Sequence, residues 1–159
     1  MLEDLIQLDR EIFISINHSR SVFLDFLMPW ITNRWVWIPL YLFFAYYLWK
    51  LYKGKLIVIV PVVALMIVCS DQGANFFKNN VQRPRPCHEV ELLNNYTIYS
   101  PVGCGGPYGF FSGHAANSFA IAVFMFLMVR NSKTENWKPW ILIFLWGILV
   151  AWSRMYLGV

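Results

Sequence analysis

Four long apolar segments constrain what this chain can fold into more than any other feature of its sequence. Residues 35–49 and 56–70 contain no charged side chain, and neither do residues 111–129 and 139–152 apart from one histidine. A bilayer core of about 30 Å needs about 20 apolar residues, and Trp, Tyr, Lys and Arg at the ends anchor shorter helices at the interface. We therefore predict four membrane-spanning helices.

The composition excludes an ordinary soluble domain. The chain is 58% hydrophobic and only 14% charged, whereas soluble domains carry about 25% charged residues. We predict a single all-α domain over residues 1–159, a polytopic membrane helical bundle. The net charge of +4 does not indicate nucleic acid as a partner, because the basic residues are scattered between apolar segments and form no stripe.

Two amino-terminal segments predict helices that lie at the membrane interface. Residues 5–16 place Leu5, Leu8 and Ile12 on one helical face, with charged residues elsewhere, which is typical of an amphipathic interfacial helix. Residues 22–31 are apolar but contain Asp25 and Pro29. These two residues interrupt the apolar run, and we expect this segment also to lie flat at the interface or to dip into the bilayer.

The distribution of basic residues predicts the orientation. Three lysines fall within residues 50–55, and three basic residues against one glutamate fall within residues 130–138. Lys and Arg are enriched in cytoplasmic loops, so both turns are expected inside. The long loop of residues 79–110 then faces outward, together with Ser112, His114 and Arg154. We expect a multi-pass protein of the inner (plasma) membrane with this polar face on the extracytoplasmic side.

The outward face collects residues suited to binding an anion. Ser112, Gly113 and His114 stand where the polar loop becomes a helix, whose first N–H groups and positive dipole end attract anions. Lys78, Arg83 and Arg85 lie within eight residues, and Arg154 follows the last apolar segment. Each group also has a plainer interpretation: a cation cluster touching lipid headgroups, a snorkelling arginine and a serine-capped helix.

Three of these groups together resemble the signatures of the type 2 phosphatidic acid phosphatase (PAP2) family. Lys78, followed after six residues by Arg85-Pro86, resembles the first signature. Phe111-Ser112-Gly113-His114 resembles the second, whose first residue is more often proline. Ser153-Arg154 resembles the start of the third. The resemblance covers about residues 71–159.

This resemblance implies a helical membrane phosphatase with a core also seen in vanadium haloperoxidases and bacterial acid phosphatases. It implies phosphate binding by Lys78, Arg85 and Arg154 with the backbone of Ser112 and Gly113. His114 would protonate the leaving oxygen. The family nucleophile is a second histidine, which forms a phosphohistidine. We expect no cofactor and no metal ion, because the cations meet the charge of the phosphoryl group.

The third signature is incomplete in this sequence. Its histidine is expected after five intervening residues from Arg154, at position 160, and the sequence ends at Val159. We therefore expect a chain truncated before the last catalytic segment and the final span. Such a chain is expected to bind phosphate and to turn over poorly.

Four further residues have predicted roles outside the signatures. Cys87 and Cys104 lie 17 positions apart in the outward loop, where oxidation is permitted, and we predict a disulfide between them. Cys69 is expected to be a small core residue. Asp71 is expected either to pair with a cation of the site or to form a polar contact between helices.

The favoured function is that of a membrane phosphatase acting on a lipid phosphate or diphosphate that enters laterally from the bilayer. Undecaprenyl diphosphate is the leading candidate by family analogy, followed by phosphatidylglycerophosphate, phosphatidate and lipid A. A vanadate-dependent haloperoxidase would share the anion site, but the spanning segments argue against it. A membrane protein that only binds anionic lipid is the non-enzymatic alternative. The sequence predicts no oligomeric state.

Overall fold

The computed structural model describes residues 2–132 and 136–159, and within them the chain is helical. The α-helices are α1 (Leu2–His18), α2 (Val22–Thr32), α3 (Ile38–Tyr52), α4 (Leu56–Val81), α5 (Val90–Asn95), α6 (Gly113–Asn131) and α7 (Ile143–Tyr156). The described residues form no strand, and the one β-type contact is an isolated bridge between Pro84 and Tyr108. The predicted all-α class is confirmed.

The predicted apolar segments correspond to α3, α4, α6 and α7. By length and composition, the segments Arg34–Val81, Gly113–Asn131 and Lys138–Tyr156 can cross a membrane. The first of them turns back at Lys53–Lys55, where the φ angle of Lys53 is +41°, so that α3 and α4 form a hairpin. Apolar side chains such as Ile57, Val58 and Leu65 project outward from α4, as expected for helices that face lipid.

Helix α2 runs through Asp25 and Pro29, the two residues that interrupt its apolar sequence. Ser21 caps the helix by accepting a hydrogen bond from the Leu24 amide at 3.2 Å. Asp25 falls in the first turn, where a carboxylate is favourable beside the positive end of the helix dipole. Pro29 removes one N–H donor, and packing of α2 against α7 compensates for that loss.

Helix α7 lies at the centre of the bundle and packs against α1, α2 and α6. Its buried side includes Trp146, Val150 and Tyr156. The Trp146 ring meets three aromatic rings of the neighbouring elements, those of Trp37, Tyr41 and Phe44. Gly147 allows the Phe119 ring of α6 to pack closely, because a Cβ atom at position 147 would lie 3.4 Å from that ring. These contacts fix the first turns of α7, about two turns before Arg154.

The two basic turns lie at the same end of the bundle. The Tyr52 hydroxyl, at the end of α3, donates a hydrogen bond to the Met128 carbonyl near the end of α6 at 2.6 Å. Lys133 and Glu135, which contributed to the predicted charge of the second turn, lie outside the described residues. The loop between α4 and α6 and the residues of the candidate site lie at the opposite end. The chain is a multi-pass integral membrane protein.

Candidate active site

The loop between α4 and α6 holds the Arg85 side chain by backbone carbonyl groups. The Arg85 amide bonds to the Pro107 carbonyl at 2.9 Å. Its Nε donates to the Tyr108 carbonyl at 3.1 Å and its Nη1 to the Cys104 carbonyl at 3.0 Å. All three acceptors are neutral, so the loop orients the guanidinium without cancelling its charge.

Two glycines allow the loop to close this tightly around Arg85. A Cβ at Gly105 would lie 2.9 Å from Arg85 Nη1, and a Cβ at Gly109 would lie 2.8 Å from Arg85 Cγ. Gly105 also has a φ angle of +67°, which glycine adopts without strain. Side chains larger than hydrogen at these positions would displace the arginine.

Cys87 and Cys104 are joined by a disulfide in the structure, with their Cα atoms 5.9 Å apart. Because Arg85 donates to the Cys104 carbonyl, the disulfide ties that acceptor to the residues directly after Arg85. The expectation that Cys69 is a core residue is wrong, since its thiol is exposed. Cys69 lies on α4, most of whose surface faces outward.

Helices α4 and α6 bring Lys78 beside the start of the Ser-Gly-His segment. A Cβ on Gly113 would lie 3.8 Å from Lys78 Nζ and 3.7 Å from Asp71 Oδ1, so the glycine permits this close approach. Asn117 Nδ2 donates to Asp71 Oδ1 at 2.7 Å. Of the two roles predicted for Asp71, the structure shows the polar contact between helices.

Ser112 begins α6 and places His114 in its first turn. The Ser112 hydroxyl accepts from the Ala115 amide at 3.5 Å, and the backbone of Gly113 and His114 follows at the positive end of the helix. Ser118 donates to the His114 carbonyl at 2.9 Å. Among the three histidines of the chain, His114 alone lines the cavity described below.

Arg154 extends from α7 and is held by a residue of α2. Its Nη1 donates to Thr32 Oγ1 at 2.8 Å, and the Thr32 side chain is buried. The Arg154 Nε is also buried, and no hydrogen-bond acceptor for it is present within the described residues. One edge of the guanidinium is therefore fixed, while Nε is left for another acceptor.

Helices α1 and α2 anchor the end of α7 below Arg154. Asn17, which is fully buried, donates to the Tyr156 carbonyl at 2.8 Å and to the Tyr99 carbonyl at 3.0 Å. The Tyr156 hydroxyl donates to Asp25 at 2.6 Å, and Arg20 donates to the same carboxylate at 2.9 Å. The hydrogen bonds from Arg20 and then Tyr156 lower the pKa of Asp25 below its ordinary value.

One cavity of about 880 Å³ joins these groups. Its polar end is lined by Lys78, Arg85, Ser112, Gly113, His114 and Arg154. It continues between α3, α4 and α6 along apolar side chains that include Leu48, Ile59, Val63, Ile67, Phe124 and Met125. The polar end suits a phosphate, and the apolar part suits a hydrocarbon chain.

The family comparison agrees with this geometry. The family model of the PAP2 superfamily matches residues 56–159. The chain belongs to the PAP2 superfamily. It is also 31% identical, over 99% of its length, to a lipid A 4'-phosphatase of Porphyromonas gingivalis. A lipid A 4'-phosphatase of Bacteroides thetaiotaomicron is 32% identical over 100% of the chain.

This PAP2 chain spans about two thirds of the length of these curated relatives, 65% of the first and 69% of the second. No solved structure matches it. The alignments to the two relatives include the amino-terminal helices α1 and α2, which lie outside the family match.

The structure brings together all six residues predicted to bind phosphate or transfer a proton. Arg83, which the sequence grouped with the other cations, does not line the cavity and instead pairs with Asp9 of α1. Sequence reasoning missed Thr32 and Arg34, which do line it. A signal for Arg34 was present: the span after it ends at the basic turn Lys53–Lys55, so Arg34 must lie at the opposite end of the bundle, where the candidate site is.

Proposed function

We propose that this chain forms the phosphate-binding and proton-donating part of a membrane phosphatase that removes a phosphoryl group from a lipid headgroup. The observation that carries the proposal is the cavity, whose polar end holds a group of cations and one histidine and whose other part is an apolar space between the helices. A soluble phosphoester does not need that apolar space. A lipid whose phosphate head and hydrocarbon tail bind in the same cavity does need it.

The residues divide the chemistry between them. Lys78, Arg85 and Arg154 bind the phosphoryl oxygens and stabilise the negative charge that spreads over them in the transition state. The free amides at the start of α6 contribute further donors. His114 donates a proton to the leaving oxygen, for which an imidazole is suited near neutral pH.

We further propose that the nucleophile is a histidine that follows Val159 in the full-length protein. Val159 lines the cavity, so the residue after it starts from the cavity wall. Its ring nitrogen would attack phosphorus, the bond to the leaving oxygen would break, and His114 would protonate that oxygen. Water would then hydrolyse the phosphohistidine.

The relatives favour a phosphorylated glycolipid of the lipid A type as the first substrate to test, because both are named lipid A 4'-phosphatases. Undecaprenyl diphosphate becomes the second candidate, supported by the number of cations at the polar end. We propose that the site faces the extracytoplasmic side of the inner membrane, since both basic turns lie at the other end.

Phosphate release by the full-length protein in detergent micelles tests the proposal. The wild type is expected to release phosphate from lipid A or undecaprenyl diphosphate. His114→Gln is expected to lower kcat by about 10²- to 10⁴-fold, with less loss on an aryl phosphate whose leaving group needs no proton. Binding of lipid phosphate without release would support the lipid-binding alternative. Equal rates for the two proteins would overturn the role of His114.

A further inference from the structure

Arg34 is a fourth cation at the polar end of the cavity, and no family signature accounts for it. It begins the short 3-10 turn Arg34–Trp37 between α2 and α3, outside the residues that match the PAP2 family. It lines the same cavity as Lys78, Arg85 and Arg154.

The turn that carries Arg34 is fixed in place. Asn33 accepts from the Trp35 amide at 3.0 Å, and Trp37 Nε1 donates to the Ile31 carbonyl at 2.8 Å. Two residues before Arg34, Thr32 binds Arg154. The guanidinium of Arg34 therefore extends from a rigid turn that is joined directly to the phosphate site.

No carboxylate neutralises Arg34 within the part of the chain that the structure describes. Its side chain lies against the Trp35 ring, whose centroid is 5.3 Å from the guanidinium carbon. Other arginines of the outer end differ in this respect. Arg10, Arg20 and Arg83 each pair with a carboxylate and lie away from the cavity.

The charges at the polar end indicate what Arg34 is for. Lys78, Arg85 and Arg154 supply three positive charges, and Asp71 supplies the one negative side chain among the described residues that line the cavity. Their net charge of about +2 balances a phosphomonoester, which carries about −1.5 to −2 at pH 7. Arg34 adds a positive charge that a single phosphate leaves without a counterion.

We infer that Arg34 binds a second anionic group of the substrate headgroup, next to the phosphoryl group that is transferred. The substrate class is then a lipid whose head carries two phosphates, either joined as a diphosphate or separated on one sugar headgroup. This inference rests on the proposed function, whose other residues bind and transfer the first phosphate.

Inhibitor binding to the full-length protein tests the inference without depending on the right lipid. Inorganic phosphate and pyrophosphate are compared as ligands of the wild type, of Arg34→Gln and of the charge-conserving Arg34→Lys. Arg34→Gln is expected to weaken pyrophosphate binding by about tenfold or more and phosphate binding by less than about threefold. Arg34→Lys is expected to recover part of the loss. An equal loss for both ligands would overturn the inference.

Lipid substrates separate the two sources of the second phosphate. One pair is undecaprenyl monophosphate and diphosphate, and the other is a lipid A disaccharide with one or two phosphates. Arg34→Gln is expected to raise KM for the two-phosphate lipid of one pair while leaving KM for its one-phosphate partner nearly unchanged. The pair that shows this difference identifies the headgroup. If neither pair shows it, Arg34 does not bind a second phosphate. If the wild type hydrolyses none of the four lipids, the proposed function fails instead, while the pyrophosphate measurement still decides the role of Arg34.

Discussion

The partners of each arginine distinguish the arginines that we propose bind phosphate from those that pair with carboxylates within the fold. Arg85 and Arg154 donate to backbone carbonyls and to a threonine hydroxyl, which orient a guanidinium but leave its charge available. Arg83 and Arg20 donate to carboxylates, which neutralise them. The positive charge of Arg85 and Arg154 is therefore available to a phosphate, whereas that of Arg83 and Arg20 is largely neutralised.

Thr32→Val tests whether the hydroxyl of Thr32 positions Arg154. Valine keeps the shape of threonine but removes the oxygen that accepts from Arg154 Nη1. We expect kcat/KM of the full-length protein to fall by about 10- to 100-fold, the size of one lost charge-assisted hydrogen bond. Thr32→Ser keeps the hydroxyl and is the control. Valine and serine variants with the same kcat/KM would show that Thr32 contributes packing alone.

At the scale of helices, the apolar segments predicted α3, α4, α6 and α7, but not how α1 and α2 meet α7. Length and hydropathy are local properties, so they locate a span from its own residues. The contacts of Asn17 with Tyr156 and of Asp25 with Tyr156 join positions more than 130 residues apart. No spacing rule connects such positions.

The carboxylate of Asp25 makes the anchoring of α7 dependent on pH. Its pKa is lowered in the folded protein by hydrogen bonds from Arg20 and Tyr156. A carboxylate whose pKa is lowered on folding stabilises the folded protein at pH values above its unfolded pKa of about 3.9. That stabilisation is lost as the pH falls through the lower pKa of the folded protein. We expect the thermal midpoint in detergent to drop less between pH 5 and pH 3 for Asp25→Asn than for the wild type.

Glu3→Gln is the matched control for the pH experiment, because it removes an exposed carboxylate from the first turn of α1 that lies in neither the site nor the anchor. It should follow the wild type through the same pH range. If Asp25→Asn also follows the wild type, the hydrogen bonds to Asp25 contribute nothing to the stability of the fold.

At the scale of the whole molecule, the site forms where three parts of the chain meet around α7. The cations in the signatures were predicted from their spacing and their resemblance to a family. Thr32 and Arg34 were not, because they belong to a turn outside the signatures and become neighbours of Arg154 through packing alone. The apolar part of the cavity could not be predicted either. It is a space between α3, α4 and α6, and its existence depends on how these helices pack.

The disulfide between Cys87 and Cys104 is expected to stabilise the outer part of the molecule and the position of Arg85. Closing a loop of 17 residues restricts the unfolded chain, which corresponds to about 3 kcal/mol in the entropy account of disulfides. We expect the double substitution of both cysteines by serine to lower the thermal midpoint and to raise KM more than it lowers kcat. Cys69→Ser is the control, because Cys69 is an exposed free thiol. Peptide mapping that finds Cys87 and Cys104 reduced in the native protein would contradict the prediction.

The apolar part of the cavity should decide which lipids the enzyme accepts. Ala64 of α4 lines that part, whereas Val68, one turn further along, does not line it and is exposed. Phenylalanine at position 64 projects into space that an acyl or prenyl chain would occupy. We expect Ala64→Phe to lower kcat/KM for a long-chain lipid phosphate by about tenfold, while hydrolysis of a soluble aryl phosphate changes little. Val68→Phe adds a similar ring facing lipid and should affect neither substrate. If Ala64→Phe lowers kcat/KM for both substrates, the ring disturbs the phosphate site. If it changes kcat/KM for neither, the lipid tail binds elsewhere.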